Sequence, residues 1–346
     1  MNSITSSHET HTHVSPTGRR RGVRFWIGRI LLGLLALLLA LAAVGASYQA
    51  LATAIDRRVS APSGRLVEVD GHRMHISCTG QGSPTVVLEA GAGTPSGVWA
   101  WVQPEVAQQT RVCAYDRAGL GWSEPGPRPR DAGSVAQELH TLLQRAGETG
   151  PFILAGHSLG GQYALMFAQR YPEEIAGLVL IDAQHPDTMF RIPEAQAVYR
   201  QQLQQANMFV ILSRLGIVRL LGMGSADPRL PEDAQAALNM AKNTTDFITA
   251  YQAELQAIPT SRDQLHAAGD LGDLPLAVVS ATEHGMPAEL ESYTIGLQRE
   301  LAALSTNSRH DIVTGADHGS LVAEQSDSQR TVAAIRSILA LARGNT

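Results

Sequence analysis

The pentapeptide Gly156-His157-Ser158-Leu159-Gly160 constrains this chain more than any other feature. The apolar run PFILA precedes it. The segment QYALMFAQRYP follows, with helical spacing and a stop at Pro172. A chain that leaves a strand and enters a helix within so few residues must turn sharply, and Gly156 and Gly160 leave room for that turn. The spacing predicts a serine in strained backbone geometry, its hydroxyl exposed above a sheet and close to the positive end of the following helix. Such a hydroxyl is a weak nucleophile, so a working site also needs a base in reach and a group that orients the base.

The rest of the chain supplies the sheet. RLVEVDGHRMHISCTG reads as two strands around Asp70-Gly71, a pair that tolerates the positive φ of a tight hairpin. SPTVVLEAGAG, TRVCAYDRAGLGWS and GLVLIDAQ are short buried-type strands, and PLAVVSAT and RHDIVTG complete the set. Helical patterns alternate with them: SVAQELHTLLQRAG, with a serine as the expected N-cap, then ESYTIGLQRELAALS and SDSQRTVAAIRSILALAR. Alternating strands and helices predict an α/β fold, a mostly parallel sheet flanked by helices. Residues 186–272 break the alternation, being rich in Gln, Ala, Leu and Met, and are expected to form a helical cap inserted into a domain made of 65–185 and 273–346. Within the cap, the apolar stretch from Met208 to Met223 suits a lining for a pocket, a contact with a bilayer, or simple packing of cap helices.

The base is expected after the last strand, where His318 lies in VTGADHGS. His72 and His75 sit in the hairpin, His140 inside a helix and His310 at the start of the last strand. His157, next to the serine, should point away from it.

Residues 30–44, ILLGLLALLLALAAV, carry no charge, and extending the run to residues 25–48 gives membrane-spanning length. Trp26 and Tyr48 sit near its two ends as interfacial aromatics, and Arg19, Arg20, Arg21, Arg24 and Arg29 all precede the uncharged stretch 30–44. The expected arrangement is a cytoplasmic basic tail (1–24), a signal anchor (25–48), a linker (49–64) and an extracytoplasmic domain. Cleavage near Ala50-Leu51-Ala52, giving a secreted protein, is the alternative. His8, His11 and His13 belong to a tail read as solvated. The first 29 residues carry net +4 of a total −5, leaving the remainder strongly acidic, which argues against nucleic-acid binding. The single lysine, Lys242, excludes a phosphate-binding G-K-[ST] loop.

From Arg65 onward the chain resembles the α/β-hydrolase fold superfamily, through GHSLG, the YDRAGLGWS loop and the terminal GADHG. The resemblance implies the chain order nucleophile, acid, histidine. Acid and histidine then fall on Asp182, at the end of LVLIDAQ, or on Glu283 after the next strand, with His318. Asp317, adjacent to His318 in sequence, is poorly placed to reach its ring. The resemblance further implies an oxyanion hole of two backbone amides, Leu159 and Ala92. The family's usual His-Gly before that loop is Ala90-Gly91 here, so a bracing histidine is missing. Asp116-Arg117 with Gly119 and Gly121 is read as an Arg–Asp brace with turn glycines. If the strand order is that of the fold, Cys78 and Cys113 lie at one edge and are expected to pair in an oxidising compartment. The implied activity is hydrolysis of a small-molecule carboxylic ester, or secondly an amide, through an acyl-Ser158 intermediate, with no cofactor or metal required. Acyl transfer, other cofactorless chemistry of the fold, and a ligand sensor that keeps the triad without turnover are the alternatives.

Overall fold

The computed structural model describes residues 19–59 and 63–344. The histidines of the N-terminal tail lie outside the described residues, as do residues 60–62 of the expected linker. The elements run α1 (Arg19–Val59), β1 (Arg65–Val69), β2 (His72–Thr79), β3 (Thr85–Glu89), α2 (Gln103–Ala107), β4 (Val112–Tyr115) and α3 (Ala132–Arg145). Next come β5 (Phe152–His157), α4 (Leu159–Arg170) and β6 (Ile175–Ile181). The cap holds α5 (Thr188–Arg191), α6 (Pro193–Arg214), α7 (Ile217–Leu220), α8 (Glu232–Lys242) and α9 (Thr245–Ala268). β7 (Leu276–Glu283), α10 (Ala288–Ala302), β8 (Ser308–Asp317), α11 (Ser320–Ala323) and α12 (Gln325–Ala342) close the chain.

The eight strands form one sheet in the order β1-β2-β4-β3-β5-β6-β7-β8. β1 and β2 pair antiparallel across the Asp70-Gly71 turn, and β2 pairs antiparallel with β4; the other pairs are parallel. Successive strand residues feed opposite faces. Val87 and Leu154 pack with Leu139 of α3 and Phe167 of α4. Val86, Leu88 and Ile153 pack on the other face with Trp99, Val106 of α2 and Ile335 of α12. Apolar layers on both sides are what a buried parallel sheet requires.

In the β2–β4 ladder Cys78 stands opposite Cys113, and the two form a disulfide with Cα atoms 4.0 Å apart. Helix α3 begins two residues before the expected serine cap. Asp131 caps it, accepting from the Ser134 amide at 3.0 Å, because an aspartate in extended geometry reaches the free amides of the first turn.

Residues 49–59 are not a linker: they continue α1. Polar Gln49, Asp56 and Arg57 are stabilised there by the cap. Gln49 Nε2 donates to the Asn243 carbonyl at 2.8 Å, Arg219 binds Asp56 at 2.6 Å and Arg57 binds Asp246 at 2.9 Å. A Cβ on Gly45 would lie 2.3 Å from the Leu215 carbonyl oxygen, so the helix backbone sits directly on the end of α6. The segment Gly22–Val59 is long and apolar enough to cross a membrane, and its most apolar window is unburied, which is consistent with a membrane anchor or a signal sequence.

The apolar cap stretch does not line the site. Phe209, Val210, Leu212 and Val218 pack with Phe247 and Ile248 as a small cluster inside the cap, while Met208, Ile211, Leu220, Leu221 and Met223 are exposed.

Candidate active site

Ser158 stands between β5 and α4 with φ 55° and ψ −126°. Asp182, just after β6, also has positive φ (40°). Non-glycine residues rarely adopt that region, and the neighbouring strands hold both residues in it. The Ser158 amide donates to the Ile181 carbonyl at 3.1 Å and the Asp182 amide to that of Val279 at 2.6 Å. The glycines around the serine are space-making. A Cβ on Gly156 would meet Gly160 O at 2.6 Å, one on Gly160 would meet Ala90 O at 2.4 Å, and one on Gly161 would meet Ala183 Cβ at 2.3 Å.

His318 follows β8, and its Nδ1 lies 2.6 Å from Asp182 Oδ2. Glu283, the alternative acid, is exposed at the end of β7, so Asp182 is the carboxylate beside His318. Asp317 turns the other way and binds Arg229. Burial alone would raise the Asp182 carboxyl, but hydrogen bonds from His284 and His318 outweigh it and hold the group well below the usual carboxylate range. An ionised carboxylate only accepts, so His318 Nδ1 carries the hydrogen of that contact.

His157 does not merely point away. Its Nε2 lies 2.9 Å from the His318 carbonyl oxygen, and the two rings are 4.7 Å apart. Burial and the neighbouring His318 push His157 down to about 3, so it is neutral and donates from Nε2.

The loop after β3 passes directly beside the serine: a Cβ on Gly91 would lie 3.2 Å from Ser158 Cβ. Its brace differs from the expected Arg–Asp pair. Asp116 binds His75 Nδ1 at 2.8 Å and accepts from the amides of Ser96 and Trp122. Buried Arg117 instead bonds Glu89 at 2.6 Å, the carbonyls of Ala90 and Gly91 at 2.7 Å each, and Glu254 of α9 at 2.7 Å. Tyr115 also donates to Glu89. Glu254 takes the Gly93 amide at 2.7 Å, and the Thr94 amide goes to the Gly91 carbonyl at 3.1 Å. The Ala92 amide has no acceptor among the described residues. Leu159 opens α4, where the first amides of a helix lack intrahelical partners. Arg117 and Glu254 thus do the bracing that the missing histidine would do.

A cavity of about 450 Å³ covers these groups, a size that suits a small organic ligand. Ser158, His318, Gly91 and Ala92 line its floor, and cap residues Met189, Ile192, Tyr251, Leu255 and Ile258 line its apolar wall.

Two groups were not legible in the sequence. His284 Nε2 lies 2.8 Å from Asp182 Oδ2, and its Nδ1 is 2.6 Å from Glu291 Oε2 on α10. Atoms of Asp182, His284 and His318 lie within 4.8 Å of one another, a spacing that would also suit a divalent cation; hydrogen bonds to the shared carboxylate account for it without one.

The central parallel strands with a strand-to-helix turn at Ser158, and Asp182 and His318 gathered at the same end, define an α/β-hydrolase. Residues 84–214 match the family model of the alpha/beta hydrolase fold, and the chain has that fold. It is 27% identical over 310 residues to an uncharacterized protein of Schizosaccharomyces pombe, covering 78% of this chain and 56% of the relative. It is 26% identical over 295 residues to an AB hydrolase superfamily protein of Gibberella zeae, covering 75% and 87%. Among solved structures it resembles a thermophilic esterase from Thermogutta terrifontis, with TM-score 0.58 and 22% identity over 80% of this chain and 98% of that one. The chain spans about half or less of the length of the first curated relatives it matches.

Proposed function

We propose that this chain is a membrane-anchored serine hydrolase that cleaves a carboxylic ester, and secondarily an amide, through an acyl-Ser158 intermediate. The observation that carries the reading is the 2.6 Å contact of His318 Nδ1 with buried Asp182, made in the cavity that Ser158 lines from its strained turn. With Nδ1 occupied, Nε2 of His318 is the ring nitrogen left to accept the serine proton. The serine oxygen attacks the ester carbonyl, and the amides of Leu159 and Ala92 receive the developing oxyanion. His318 then protonates the departing alcohol, water attacks the acyl-serine with His318 again as base, and the acid leaves.

Three observations support the anchored reading. The apolar helix is long enough to span a bilayer. The arginines before it favour a cytoplasmic N-terminus. The Cys78–Cys113 bond suits an oxidising compartment. Cleavage near Ala50–Ala52 would discard Gly45 and Gln49, which seat on the cap, so the uncleaved form fits the packing better.

The test is hydrolysis of p-nitrophenyl esters of rising acyl length by the full chain in detergent, beside Ser158→Ala. The reading requires turnover that the variant abolishes, with a chain-length optimum set by the cap wall. A folded wild type no faster than the variant would favour a sensor or a different chemistry.

A further inference from the structure

We infer that His284, held by Glu291, is a second histidine on the triad carboxylate: it positions Asp182 and, as a cation, offsets part of the negative charge beside His318. The inference rests on the assignment of Ser158, His318 and Asp182 as a triad. It begins from one oxygen. Asp182 Oδ2 is 2.6 Å from His318 Nδ1 and 2.8 Å from His284 Nε2, while Oδ1 accepts from the Ala281 amide at 3.1 Å. The carboxylate is therefore gripped from three sides, by β7, by the loop after it and by the loop after β8.

The charge on His284 follows from its partners. Nε2 faces the Asp182 carboxylate and Nδ1 faces that of Glu291 at 2.6 Å. Ionised carboxylates only accept, so both ring nitrogens donate and the ring is an imidazolium. Burial works against the charge, but the hydrogen bonds and charges of Asp182 and then Glu291 outweigh it and push His284 up to about 9. Glu291 is itself fixed by three contacts: its Oε2 on the His284 ring, and its Oε1 taking the amides of His284 at 2.7 Å and Met286 at 3.3 Å. The charged and titratable groups facing His284 are Asp182 after β6, Glu291 on α10 and His318 after β8, whose ring is 6.2 Å away.

At that separation the His284 cation adds positive charge beside the His318 ring, and Glu291 partly cancels it. The two partners should act in opposite directions. Replacing the cation in His284→Gln leaves Glu291 bare and makes the site more negative. Replacing the anion in Glu291→Gln leaves the cation with Asp182 as its one carboxylate partner and makes the site more positive.

The experiment is the pH profile of kcat/KM for p-nitrophenyl butyrate with full-length protein in detergent. The acid limb should move up by about one pH unit in His284→Gln and down in Glu291→Gln. A limb that stays put in both, or moves the same way in both, overturns the inference and leaves a packing role only. A second readout needs no turnover. The folded state keeps the His284 proton to about 9 against an ordinary 6.5, so this group's stabilisation is complete below 6.5 and is lost as pH rises through about 9. The Tm of the wild type should fall relative to that of His284→Gln across this window. Parallel Tm curves would overturn the inference. Absence of Ser158-dependent hydrolysis with a normal Tm difference would instead indict the hydrolase assignment.

Discussion

Glu254, on cap helix α9, accepts a hydrogen bond from the Gly93 amide at 2.7 Å, one residue beyond the amide assigned to the oxyanion hole. The same carboxylate neutralises buried Arg117 at 2.7 Å. The cap is thereby fastened to the loop beside Ser158, and covering the site and shaping its floor become one structural event.

Glu254→Ala should destabilise the fold by about 3–5 kcal/mol, because it strips one partner from a buried charge. Glu254→Gln keeps the volume and can still bond Arg117, and it should fold. Its kcat should fall by tenfold or more with KM little changed, since the loop and not the substrate contact is loosened. Melting curves and steady-state kinetics on the two variants check this.

Asp182→Asn should keep the fold and lower kcat by about 10⁴-fold, because an amide can favour the wrong tautomer of His318. Glu283→Gln, at an exposed position, should stay within about twofold of wild type. Equal losses from the two changes would contradict the assignment of the acid.

Much of this was legible from local spacing. The Asp70-Gly71 hairpin, the glycines around Ser158 and the single histidine after the last strand are short-range signals. The structure sets Ser158 and His318 in one cavity and Asp182 beside the His318 ring, while Glu283 lies exposed at the end of β7. What escaped depends on distant partners. Arg117 looks to Glu89 and Glu254, 28 and 137 residues away, where the sequence suggested adjacent Asp116. His284 meets Asp182 across 102 residues. The extension of α1 past Tyr48 was hidden because Gln49, Asp56 and Arg57 read as solvent-facing until the cap supplies partners.

Acid should unfold the hairpin edge through Glu138. Burial would raise this carboxyl, but the His72 ring 3.1 Å away and the hydrogen bonds from Arg130 outweigh it and lower it to about 2. A depressed carboxyl stabilises above its ordinary 4.5, and the contribution is lost as pH falls toward about 2. Glu138→Gln should therefore be less stable than wild type at pH 7 by about 3 kcal/mol and converge with it near pH 2. Denaturant titrations at stepped pH measure the gap.

Cys78→Ser with Cys113→Ser should lower stability by about 2–4 kcal/mol, as expected for opening a bridge that closes a 35-residue separation. Reductant should lower the Tm of the wild type and leave that of the double variant unchanged in a calorimetric scan.

The central claim is an activated serine at position 158. Full-length protein treated with a fluorophosphonate and mapped by mass spectrometry tests it most directly. One adduct is expected, on the peptide containing Ser158, absent from Ser158→Ala and much slower to form in Asp182→Asn. A folded wild type that takes up no label, or an equally labelled Ser158→Ala, would contradict it.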